Sequence, residues 1–514
     1  HIGDPAVRHL GTLGGSIAEA FRIDLGQSRL VGVFDQTAVK DGLQRMGRAP
    51  GTALDPAVAR ELAQREGGKA YVVGDVAPIG SGYVLSARLL SAADGAELVA
   101  LRETARDDGE LIAAIDRLSK KLREKIGDPL KSLRAAEPLE QVTTSSLEAL
   151  RLYTEAQRDM DRGQDQSALE KLQQAVAIDS GFAMAWRKLG VVRFNNSAAR
   201  SAIQEAATRA FQHHDRLPEL ERHLTDAYYY YSVTADYGRA ETAYRAVLER
   251  KPDDITSLNN LSLVLMRGRR WESAESLLVR ALAVDSGRSS PYVNLVEVMA
   301  RQGKPAEAAA INERMDRVLP RAHDIAAGYR MNLAAMAGAW DSAAFHAREL
   351  ERLATRGGSL PWSINAQGAL ATVQGRIGEG LSQMARAERV ELTDNPAAVV
   401  QYAVYRADLE AEYGAGPRVA VRNLEQALLT HPLEKIAVAD RPYLLLANFF
   451  SYRGAPDQAR RILEEYAAND SAARLQTRGN MVARAWLLIA ERKFPEALSL
   501  MRMAQDSSAC PQCS

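Results

Sequence analysis

Residues 255–301 read ITSLNNLSLVLMRGRRWESAESLLVRALAVDSGRSSPYVNLVEVMAR, and the fold is decided by what recurs in and around them. Leu261 returns as Leu295, 34 positions on, and Arg270-Trp271-Glu272-Ser273-Ala274 returns as Ala339-Trp340-Asp341-Ser342-Ala343. Small residues keep the same beat at Ala168, Ala202, Ala240, Ala274, Ala308 and Ala343, with spacings of 34, 38, 34, 34 and 35. A fixed period of this length marks a repeat of one supersecondary unit. The unit is a helical hairpin, because a small side chain is needed where two antiparallel helices cross closely. Each hairpin leaves apolar surface that only its neighbours can cover, so the array is expected to stack into an α-solenoid. The expected fold class is therefore mainly α, with about ten hairpins over residues 147–514, preceded by a small α+β domain.

Other positions hold the phase. Trp186-Arg187-Lys188-Leu189-Gly190 has the W-x-x-L-G opening, and Pro252 and Pro320 stand 68 apart. The register weakens at Gly380, then returns at Ala420 with Ala427 and Pro432, at Ala459, and at Ala497 with Ala504. On these residues the chain resembles the tetratricopeptide repeat proteins. The resemblance implies a groove lined by the first helix of each hairpin, and counting back from the small residues places Tyr229, Asn259, Asn260, Arg267, Asn294, Glu297 and Arg301 there. Amide and guanidinium groups suit hydrogen bonds to an extended peptide, and a tyrosine offers a flat anchor. The competing reading of any one of them is a solvated helix face. The family's carboxylate clamp is not supported: Asn260 fits one position, but its neighbouring hairpins offer Thr225 and Tyr229, then Ser290 and Asn294. Tyr228 to Tyr231 is the densest aromatic run, and i, i+3 spacing predicts Tyr228 and Tyr231 in the core with Tyr229 and Tyr230 partly exposed.

The first 135 residues mix two periods. Asp4-Pro5 reads as an N-cap with proline at the first helical position, and Leu10, Leu13, Ile17 and Phe21 predict one buried face. Leu30 to Phe34 is a strand candidate, and Val39, Leu43 and Met46 share a helical face. Asp55-Pro56 caps a second helix through Arg65. Tyr71 to Val76 and Val84 to Leu90 are β-rich runs around Pro78, Gly80 and Gly82, Ala96 to Thr104 is a third strand, and a helix over Glu110 to Lys125 closes the domain. Residues 136–146 then read as a linker.

This region resembles the amino-terminal domain of the TolB translocation protein and its relatives in bacterial transmembrane Ser/Thr kinases, cyclases and acid-response regulators. The likeness is carried by Asp55-Pro56-Ala57, Tyr71-Val72-Val73-Gly74-Asp75-Val76, Leu85-Ser86-Ala87-Arg88-Leu89-Leu90 and Val142-Thr143-Thr144-Ser145-Ser146-Leu147-Glu148-Ala149-Leu150. It implies the extracytoplasmic, periplasmic sensor region of a bacterial receptor, with a membrane segment and a catalytic domain before His1. The opening His1-Ile2-Gly3-Asp4-Pro5 and the stop soon after Ala504 agree with a longer chain.

With 65 basic and 65 acidic residues, the chain has no net charge to draw it to nucleic acid or anionic lipid. Tyr443 to Phe450 is too short to span a bilayer, so a membrane is expected only through a segment outside this chain. The expected partner is a protein or peptide in the groove, with self-association as the scaffold alternative. No cofactor, metal site or catalytic residue is expected. The glycines near Gly11 and Gly80 lack a phosphate-loop pattern, and His213, His214 and His223 are spaced for separate helix faces. Kinase motifs, a nucleophile elbow and H-E-x-x-H are absent from the sequence. Cys510 and Cys513 leave a disulfide, half of a zinc site and two plain thiols open.

Overall fold

The structure, a computed structural model, describes the chain except residues 1–4, 29, 35–38, 40–41, 44, 49–51, 53, 130–132, 134–137, 162, 197, 320–321, 355–358, 392–394, 415, 470–477 and 507–514. Two units emerge: residues 1–192 with 209–225, and residues 193–208 with 226–514.

The first unit carries a three-stranded antiparallel sheet in the order β1-β2-β3, with β1 Ala70–Ile79, β2 Gly82–Ser91 and β3 Glu97–Ala105. Gly80, at φ +59°, turns β1 into β2, a backbone that residues with a Cβ rarely adopt. Helix α1 spans Pro5–Leu25, α2 Pro56–Arg65 and α3 Leu111–Ile126. Asp55 caps α2 by accepting the Val58 N–H at 2.8 Å, as its sequence predicts. The segment at Leu30–Phe34 corrects the reading above. Val31 to Phe34 form no strand, and Leu30 and Phe34 are exposed. The Ser28 hydroxyl takes the N–H groups of Leu30 and Val31 at 3.1 and 3.2 Å, so these donors are spent locally and not on a ladder.

The buried face of α1 differs from the expected one over its second half, the side chains of Leu10 and Leu13 lying outside those described. Ile17 and Phe21 are half-buried, whereas Ser16, Glu19, Ala20, Ile23 and Asp24 are buried. Polar groups can occupy that face because each meets a partner. Glu19 takes Arg22 at 2.6 Å, and Asp24 lies 3.9 Å from Arg123. Arg123, fully enclosed, donates from Nε to Asp128 at 2.8 Å, while the Ser28 hydroxyl donates to the other Asp128 oxygen at 2.6 Å. Gly127, at φ +105°, ends α3 and turns Asp128 back onto it. Burial pushes the Asp24 carboxyl up to about 6, with the Asp116 charge adding to it and Arg123 opposing. The segment read as a linker holds a helical turn at Leu139–Val142 with Leu139 buried.

Helical hairpins follow: α4 Leu147–Asp161, α5 Asp165–Ile178, α6 Ala183–Asn195, α7 Arg200–Gln212, α8 Glu219–Tyr229, α9 Tyr237–Arg250, α10 Ile255–Arg267, α11 Trp271–Val284, α12 Ser289–Arg301, α13 Pro305–Val318, α14 His323–Met336, α15 Trp340–Leu353, α16 Ser359–Val373, α17 Ile377–Glu391, α18 Pro396–Tyr413, α19 Pro417–Thr430, α20 Tyr443–Tyr452, α21 Pro456–Asn469, α22 Arg478–Ala490 and α23 Phe494–Asp506. Ala168, Ala240, Ala274, Ala308, Ala343, Ala420 and Ala459 are all fully buried, as the period predicts. Ala202 is not: it is half-buried, and Ala206, one turn on, is fully buried instead. Gly380 explains the weak register. A Cβ there would stand 2.4 Å from Thr372 Oγ1 and 2.9 Å from the Gly368 carbonyl, so this crossing is too tight even for alanine.

Within the second unit one contact joins distant sequence. Ala199 accepts the first N–H groups of α7 but has no side-chain acceptor. Asp440 supplies it: Ser201 donates its N–H at 2.9 Å and its hydroxyl at 2.6 Å to the two carboxylate oxygens, 239 residues away. Asp440 ends the second of two 3-10 turns, Leu433–Lys435 and Val438–Asp440, in the connection from α19 to α20, and Leu433 and Ile436 anchor that connection in the core.

Candidate ligand-binding face

The first helices α10 and α12 bring three of the predicted side chains into one chain of amides. Asn294 Nδ2 donates to Asn259 Oδ1 at 2.9 Å, Asn259 Nδ2 donates to Asn260 Oδ1 at 3.0 Å, and Asn260 Nδ2 donates to the Tyr244 hydroxyl of α9 at 3.3 Å. All three asparagines are half-buried. Asp254 starts α10 by accepting the Ser257 N–H at 2.8 Å, and Leu258, Leu261 and Leu265 are buried. Asn259 and Asn260 are therefore left at the margin of the core, where an amide can be both oriented and reached. The chain fixes which way each amide points. It also leaves each NH2 group a second hydrogen, and an amide oxygen a second lone pair, for a ligand.

Beside the amides lies an aromatic and charged cluster. Arg267, the exposed last residue of α10, donates to the Tyr231 hydroxyl at 3.3 Å, its guanidinium 5.9 Å from the ring centre, and Tyr231 meets Tyr237 edge-on at 5.7 Å. Arg301 pairs with Glu297 at 3.5 Å on α12. Burial pushes the Tyr329 phenol of α14 up to about 12, with the Glu297 carboxylate adding to it. Tyr329 was missed in the sequence because its neighbours, Gly328 and Arg330, break no pattern that would single it out.

The tyrosine run departs from its expected burial. Tyr228 is buried, but Tyr231 is half-buried like Tyr229 and Tyr230. The cause is local winding: Tyr230–Thr234 is a π-helical turn that ends at Ala235 with φ +55°. An i, i+3 rule for an α-helix no longer places Tyr231 above Tyr228 once a turn is widened. Tyr231 is turned to Arg267 and Tyr237 instead. Tyr229 meets Tyr230 edge-on at 5.8 Å. Tyr230 in turn lies 5.5 Å from the Arg239 guanidinium.

Other candidates are placed more simply. His214 stacks on Phe211 at 4.2 Å, and among the described residues no group of three His, Cys, Asp or Glu could hold a metal ion. Cys510 and Cys513 lie outside the described residues. Among those residues no helix is long and apolar enough to cross a membrane.

The fold is an array of helical hairpins in a tetratricopeptide-like repeat arrangement, with a small antiparallel sheet near its start. Solved structures of that kind are similar to it at low identity. A tetratricopeptide repeat protein from Parabacteroides merdae is 13% identical, covering 56% of this chain and 99% of its own, with a TM-score of 0.35. A thermophilic TPR protein of Thermus thermophilus is 21% identical, covering 37% and 98%, at 0.32. Yeast Tom70 is 10% identical, covering 70% and 91%, at 0.39. No protein-family model and no curated protein sequence matches the chain.

Proposed function

We propose that this chain is a non-catalytic interaction module that holds an extended segment of a protein partner along α8, α10, α12 and α14. The observation that carries the reading is the amide chain Asn294–Asn259–Asn260–Tyr244, which spans two successive first helices and presents oriented donors and acceptors. An extended peptide exposes one N–H and one C=O per residue, and such side chains recognise them whatever the peptide's sequence. Tyr231 with Arg267, and Glu297 with Arg301, then add selectivity at its flanks. The resemblance of the first region supports a finer reading, a sensory arm of a bacterial receptor of the Ser/Thr kinase type on the extracytoplasmic side. A free-standing scaffold fits the same face equally well.

The test is a scan of the full chain against a library of unstructured peptides, followed by titration of the best binder. Asn259→Ala with Asn294→Ala should weaken it at least tenfold, the size of two lost hydrogen bonds. Unchanged affinity would remove the amide chain from the site. Intact mass of the native polypeptide separates the finer readings, because a receptor arm requires an attached membrane span and catalytic domain.

A further inference from the structure

Four positions after the crossing residue the second helices commonly bury a large apolar side chain: Tyr244 after Ala240, Leu278 after Ala274, Met384 after Gly380, Leu424 after Ala420 and Leu463 after Ala459. Ala202 is followed instead by Ala206 and, at two consecutive hairpins, Ala308 by Asn312 and Ala343 by Ala347, all buried. Asn312 is the one polar side chain at that place in the hairpins. A cavity of about 410 Å³ opens beside Asn312, within the range of small-ligand sites.

Its walls have two characters. Ala309 of α13 with Leu333 and Ala334 of α14 are apolar, whereas Asn312 and Glu313 of α13, Arg330 of α14 and His346 of α15 are polar. Asn312, 1% exposed, donates Nδ2 to the Ala326 carbonyl at 3.0 Å, which fixes its amide. Its Oδ1 has no hydrogen-bond partner among the described residues. A buried acceptor left unmade is costly, and native proteins keep few of them. The donors of the wall are largely spent. Arg330 is forked onto Glu313 at 2.8 and 3.1 Å and reaches Asp316, and His346 Nδ1 meets Glu349 at 2.9 Å. Arg317 also lies near Glu313, and that carboxyl is held below its usual range by Arg330. What the wall lacks is a donor from outside.

We infer that this cavity is a second binding site, for a primary ammonium on a short aliphatic stem. The stem lies on Ala309, Leu333 and Ala334, and the head donates to Asn312 Oδ1, after a small side-chain shift, and to the spare lone pairs of Glu313. A free amine and the lysine side chain of a docked protein share this chemistry.

Titration calorimetry on the full chain with n-pentylammonium, Nα-acetyl-L-lysinamide and 1-pentanol tests it. At least one ammonium probe should bind with a dissociation constant on the order of 1 mM, as its few heavy atoms allow, and pentanol at least tenfold more weakly. Binding of pentylammonium alone assigns the site to a free amine, and binding of the lysinamide to a side chain. Asn312→Leu, which installs the residue type common in the other hairpins, should lose at least tenfold. Ala309→Leu narrows the cavity without touching the buried amide and gives the same readout should Asn312→Leu fail to fold. The inference is overturned by silence from both ammonium probes, by pentanol binding as well as they do, or by affinity unchanged in Ala309→Leu.

Discussion

Two regions pack helices by opposite means, the sheet-bearing start of the chain and the array of hairpins that follows it. In the first, α1 and α3 meet over enclosed charges, Asp24, Arg123 and Asp128. In the second, helices meet over alanines, with Ala240, Ala274 and Ala308 fully buried at successive crossings. Buried charges hold only while every partner is present, because the desolvation cost of each is large. Alanine crossings ask for no partner, only for the absence of atoms, and they can be repeated at will. The difference teaches why one region reads as a periodic pattern and the other does not.

It also predicts where the molecule is fragile. Arg123→Ala should give the largest loss, about 3–5 kcal/mol, because Asp24 and Asp128 stay behind as buried unpaired carboxylates. Denaturant unfolding followed by hydrogen exchange should place that loss in the first unit. Replacing Asp24, Arg123 and Asp128 together by apolar residues should recover much of it. If the single change costs under about 1 kcal/mol, the charges are not what joins α1 to α3.

Ala274→Leu breaks the other means. Overpacking at a crossing should cost about 1–3 kcal/mol. In a repeat array the damage should stay near α10 to α13, since each hairpin contacts mainly its neighbours. Ala283→Leu, on an exposed face of the same helix, is the control and should be near neutral. Equal losses would mean that the crossing imposes no special limit on size.

The same contrast explains what was legible. The alanine beat outside Ala202, the Asp55 cap and the three strands are local or periodic properties, and the structure places them as read. Tyr231 and Leu30 to Phe34 were misplaced because a π turn and a serine hydroxyl override the regular period over a few residues. Asn312 was visible in principle: comparing the fourth residue after the crossing residue of each hairpin, and not only the small ones, isolates it as the one polar side chain. Asp24, Arg123 and Asp128 have no such signal. Their partnership joins residues about a hundred positions apart, and a lone buried charge looks in sequence like a surface one.

The Asp440–Ser201 contact mixes both means, a charge used to tie one part of the alanine-packed unit to another, and it should show the smallest effect. Asp440→Ala should cost about 1 kcal/mol, the usual worth of a helix cap, and speed hydrogen exchange in the first turn of α7 roughly fivefold. A local substitute separates the cap from the tie. Ala199→Asp added to Asp440→Ala places a carboxylate at the cap position of α7 itself, so protection there should return. The tie would remain broken, and X-ray scattering should still report a larger radius of gyration than that of the parent chain. Should the radius match the parent in both variants, Asp440 acts as a cap alone, and the stacking of hairpins holds residues 201 and 440 together without it.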